Sequence, residues 1–95
     1  MLDDELLLAA KIRLRKMNTD ILDEDIHQLG SVAIADLQRI GIAPRYLIGR
    51  IEDPIIREAI LIFINANYGN NPDREKLTAA YEMMLTRIKG GKYFD

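Results

Sequence analysis

"DPIIREAILIFINANYG", residues 53–69, reads as one helix with apolar residues on nearly every side. Asp53 is a suitable N-cap, and Pro54 suits the first helical position, where its missing N–H costs no hydrogen bond. Gly69 supplies the stop. On a wheel at ~100° per residue, Ile56, Ala59, Ile60, Phe63 and Ala66 share one face, the expected domain core. Ile55 and Ile62 widen that face. Leu61, Ile64 and Tyr68 form a second apolar face beside Arg57, and only Glu58 and Asn65 mark a polar wedge. A helix apolar nearly all round has to be buried nearly all round. Either the other helices of the chain wrap it, or a neighbouring copy covers the second face, because an exposed apolar patch of that size marks an interface.

Three further helices can be placed around it, and no strands. The first runs from Asp3 to Lys16, "DDELLLAAKIRLRK", with acids at its start and bases at its end, as the helix dipole favours. The second runs from Asp23 to Ile40, where Leu22, Ile26, Leu29, Ala33, Leu37 and Ile40 form one stripe. Gly41 is its expected left-handed cap. Gly30 and Ser31 interrupt it at some cost in propensity, which points to another helix approaching closely, or to a hinge. The fourth runs from an Asn71 cap and Pro72 to Lys89, with Leu77, Ala80, Tyr81, Met84 and Ile88 on its apolar face. Residues 41–52, "GIAPRYLIGRIE", lack any periodicity and are long for a connection between helices. Gly90 and Gly91 precede a tail, "KYFD", expected to be mobile. The expected fold is an all-α, single-domain, small four-helix bundle over residues 1–95, with an apolar third helix and a long loop between helices 2 and 3.

Composition narrows the function. The chain has 95 residues, 48% hydrophobic and 29% charged, which suits one folded domain. It has no Cys, so disulfides, thiolate metal sites and cysteine nucleophiles are excluded. With no Trp and few aromatic residues, a base-stacking platform for single strands is not expected. The longest apolar run, Ala59 to Ile64, is far short of the ~20 residues of a membrane span. Asp3, Asp4 and Glu5 stand where an export signal needs cations. A net charge of −2 lacks the basic surplus of a free-standing DNA binder.

Two charged clusters invite chemistry. "DILDEDIH", residues 20–27, gathers Asp20, Asp23, Glu24, Asp25 and the only His, but Asp25 and His27 are two apart and point to different helix faces. Acids at a helix N-terminus account for it. "KIRLRK", residues 11–16, is a thin phosphate patch, and its cations suit either a helix C-terminus or the acidic 20–25 cluster of an adjacent subunit. No catalytic constellation emerges. An all-helical chorismate mutase is rejected, because "MNTDILD" breaks the long first helix that family needs. No cofactor, metal or enzymatic activity is expected.

The strongest pattern is "DPIIREAILIFINANYGNNPDREKLTAAYEMML", residues 53–85: an Asp-Pro-capped apolar helix ending in Tyr-Gly, a short turn, then a helix carrying Leu77 and Tyr81. A second is residues 6–42, with a short first helix, an acidic start to the second and a closing Leu-x-x-x-Gly-Ile. In these the chain resembles the small helical head–tail connector proteins of tailed bacteriophages and prophages, also called adaptor or DNA-packaging proteins. The resemblance implies a homo-oligomeric ring of about a dozen subunits. That ring would sit at the virion head–tail junction, between the portal protein and a tail-side stopper or tail protein, after assembly in the host cytoplasm. DNA would pass through it only as cargo, and no membrane is involved. Subunit contacts are expected from Lys11, Arg15 and the face Leu61, Ile64 and Tyr68. Arg45, Tyr46 and Arg50 are the candidate channel or ring-contact residues, and Lys92, Tyr93 and Phe94 the portal-contact tail. The competing reading is a small helix-turn-helix regulator using "QRIGIAPRYLIG" as its turn, although no polar recognition helix follows.

Overall fold

The computed structural model describes residues 2–15 and 21–94. They form helices α1 (Asp4–Arg15), α2 (Asp23–Arg39), α3 (Pro54–Asn67) and α4 (Arg74–Lys89), with one 3-10 turn at Pro44–Tyr46. Among the described residues there is no strand, and the chain is all-α as expected. The expected extension of α1 to Lys16, and Asp20 of the acidic cluster, lie outside the described residues.

The apolar helix is central. α3 packs against α1, α2 and α4. Asp53 caps it as expected: one carboxylate oxygen, Oδ1, accepts from the backbone N–H of Ile55 (2.9 Å) and of Ile56 (3.2 Å). Ile56, Ala59, Ile60, Leu61, Ile64 and Ala66 are buried along it, and Tyr68 is buried just beyond its end. The expectation that Leu61, Ile64 and Tyr68 form an exposed second face is therefore corrected. Ile64 has no exposure at all. Three helices around one centre cover more of its circumference than a single apolar stripe requires, and Phe63, placed in the core by the wheel, is left only half-buried. The polar wedge is real and tied down: Glu58 accepts a two-pronged bond from Arg13 of α1, and Asn65 accepts from Asn71.

The helix ends follow local chemistry, with one shift. α2 stops in a Schellman motif: Ile42 N–H donates to Leu37 O, Gly41 N–H donates to Gln38 O, and Gly41 takes φ 103°. α4 begins at Arg74, later than the expected Asn71 cap. The Asn71 carboxamide oxygen accepts from Asp73 N–H in an Asx turn, while its amide nitrogen reaches back to Asn65, so the turn delays the helix. Gly30 does provide a close approach, but to Leu2 in the segment before α1 rather than to a helix; a Cβ on Gly30 would overlap the Leu2 side chain.

The loop and tail are packed parts of the fold. Ile42, Ala43, Leu47 and Ile51 bury their side chains although residues 41–52 show no periodicity. Asp3 joins this loop to α1, accepting from Leu6 N–H and, through its second oxygen, from Ile51 N–H (both 2.9 Å). Burial opposes ionisation of Asp3, but those two N–H donors, with Arg57 and Arg50 nearby, hold its carboxyl below the usual range. In the tail, expected to be mobile, Tyr93 is the residue that packs on the fold. Tyr93 O accepts from Ala43 N–H (2.8 Å), its ring meets Tyr46 edge-on at 5.1 Å, and its hydroxyl donates to Asp53 Oδ1 (2.9 Å). Tyr93 is 4% exposed because the loop receives it.

Candidate functional site

The charged residues expected at subunit contacts divide between internal and outward roles. Lys11 pairs with Asp23 of its own chain (2.9 Å), so the basic patch meets the acidic helix start within one molecule. Arg15 is exposed at the end of α1. Tyr68 acts internally too: its hydroxyl accepts from Leu22 N–H (2.8 Å) at the start of α2. His27 Nδ1 accepts from Leu2 N–H (3.2 Å) and anchors the first residues.

The loop and tail, expected as separate contact regions, lie side by side. Arg45 is exposed with its guanidinium 4.9 Å from the centre of the Tyr46 ring, a cation–π arrangement. Arg50 pairs with Glu5 of α1 (2.8 Å) at an exposed position. Lys92 is exposed, Tyr93 buried and Phe94 half-buried beside Gly41. A shallow depression lined by Arg45, Tyr46, Arg50, Glu52 and Asp53 sits at this end of the molecule.

Two surfaces escaped the sequence reading. The first is the outer side of α1, where Leu8 is 57% and Ile12 50% exposed. At ~100° per residue they lie opposite Leu6, Ala10 and Leu14, the buried face of the same helix. "LLLAAKIRLR" hid this stripe because its apolar residues are spread around the helix rather than gathered on one side. The second is an open groove of about 970 Å³ between α2 and the end of α3. Leu22 and Val32, both more than half exposed, line it with Leu29, Tyr68 and the acidic Glu24 and Asp25. Val32 and Asn67 also line a smaller hollow of about 380 Å³ that continues between α2, α3 and α4 to Arg39 and Lys89.

No family model, curated protein or solved structure matches the chain.

The smaller hollow is bridged by a polar link between α2 and α4. Tyr81 donates to Asp36 Oδ2 (2.7 Å), and Arg39 donates to Asp36 Oδ1 (2.7 Å). Burial opposes the Asp36 charge, but the Tyr81 hydroxyl and Arg39 hold its carboxyl below the usual range. Burial and the Asp36 bond push the Tyr81 hydroxyl well above its usual range, so it stays a proton donor. Among the described residues, no group of three or more His, Cys, Asp or Glu is placed to hold a metal ion. What this surface offers is apolar contact area bordered by charge.

Proposed function

We propose that the protein is a structural assembly subunit, a head–tail connector of a tailed phage or prophage that forms a ring through which DNA passes. The observation that carries this reading is the pair of distinct apolar surfaces on one small chain, the α1 stripe and the α2/α3 groove. Two non-identical surfaces favour heterologous contacts, which close into rings when the rotation per subunit permits. The resemblance of residues 53–85 to connector proteins supports the same assignment. A net charge of −2 suits a conduit that must let DNA slide, since phosphate neutralisation is what makes a protein grip it.

In this reading the loop–tail end, carrying Arg45, Arg50 and Lys92, faces the portal or the next ring. Leu61 and Ile64 support the subunit from within, while Tyr68 lines the groove that receives the neighbour. The regulator reading loses ground because α3, the helix after its supposed turn, is central to the fold, with Pro54 alone fully exposed and its Glu58 held by Arg13 of α1. A recognition helix needs a free polar face for base edges.

Negative-stain electron microscopy of the concentrated protein tests this. Annular particles with an opening wide enough for duplex DNA are expected, with no band shift of duplex DNA at low salt. A sequence-selective band shift from a non-annular species would overturn the assignment.

A further inference from the structure

Resting on the ring reading, we propose that the outer stripe of α1 in one copy lies antiparallel along α2 in the groove of the next. The stripe is polarised. Asp4 stands at its N-terminal end, Leu8 and Ile12 in the middle and Arg15 at its C-terminal end, all within one arc of the helix at ~100° per residue. The groove is acidic at one end, with Glu24 and Asp25, and apolar in the middle, with Leu29 and Val32; at the other end Arg39 and Lys89 stand among Asp36 and Glu82, so that end carries no net charge.

The acidic end fixes the direction. Laid antiparallel, Arg15 meets Glu24 and Asp25 and Leu8 falls beside Val32, with Asp4 at the end that carries no net charge. Laid parallel, Asp4 would face Glu24 and Asp25, like charges that suppress that register. The stripe fits within the groove: at ~1.5 Å per residue, Asp4 to Arg15 spans roughly 16 Å against roughly 21 Å from Asp25 to Arg39. The contact also accounts for both exposed apolar surfaces at once, each copy giving its stripe to one neighbour and its groove to the other.

Because the chain has no Cys, a disulfide reporter has no background. Leu8 and Val32 are both more than half exposed, so substitution leaves the fold intact. The double variant Leu8→Cys, Val32→Cys, mildly oxidised, is expected to give a ladder of covalent oligomers on a non-reducing gel. Adding Arg15→Glu should cut the ladder about tenfold or more through like-charge contact, and adding Glu24→Arg with Asp25→Arg should restore it. Covalent dimers from Leu8→Cys alone would instead place two α1 stripes together and overturn the inference. A closed oligomer by native mass without a ladder would overturn this contact while leaving the ring reading standing. A chain that gives no ladder and stays monomeric at every concentration would overturn both.

Discussion

Ile64→Ala lowers the free energy of unfolding by about 2–5 kcal/mol, the cost of deleting a fully buried aliphatic side chain and leaving a cavity. Ile64 has zero exposure on a helix walled by three others, so little can move in to fill the space. A domain of this size has only about 5–15 kcal/mol of stability in total, and the variant should unfold at clearly lower urea. Urea titration followed by circular dichroism measures the loss. Leu8→Ala, on the exposed stripe, should change stability by no more than about 0.5 kcal/mol. An Ile64→Ala chain as stable as the parent but unable to assemble would return Ile64 to the interface and contradict its burial here.

Asp53→Ala is the second large effect, at about 2–5 kcal/mol. Its Oδ1 accepts three hydrogen bonds, from Ile55 N–H, Ile56 N–H and the Tyr93 hydroxyl. Losing the helix cap costs about 1 kcal/mol, up to 2, and stranding a buried hydroxyl costs about 1–3 more. The two parts separate in a cycle with Tyr93→Phe: once the hydroxyl is absent, Asp53→Ala should cost only the cap. Alkali gives a second readout. Burial and the Asp53 bond push the Tyr93 hydroxyl up to about 12 from an ordinary value of 10.0. A raised value means the unfolded chain loses that proton first. The stabilisation is complete below pH 10.0 and is lost as pH rises through about 12. Tyr93→Phe should flatten that limb of the stability profile, and an unchanged limb would contradict the Tyr93–Asp53 bond. Tyr81, also raised, leaves some alkaline loss behind in the variant.

The parts of the fold that were legible in the sequence are those set by neighbours along the chain. Asp53-Pro54 opens α3 and Gly41 closes α2 because caps depend on residues two to five positions away. The misreadings share the opposite cause. A wheel gives the faces of α3 but not the number of helices around it, so Leu61 and Ile64 could be assigned outward or inward. The tail reads as frayed from "GGKYFD", yet its partners Ala43, Tyr46 and Asp53 lie 40 or more residues earlier. Asn71 resembles a cap because its carboxamide does accept a backbone N–H, but in a turn one step before the helix. The candidate surface was hidden for a related reason. Leu8 and Ile12 look like ordinary core residues until Leu6, Ala10 and Leu14 are seen to take the inward face.

The most direct test of the central claim is the native mass of the purified chain across a wide concentration range. The account predicts a closed species of about a dozen copies, roughly 130 kDa from 10.9 kDa each, which grows no further as concentration rises. A dimer that persists at every concentration would contradict it, as would a monomer that never associates.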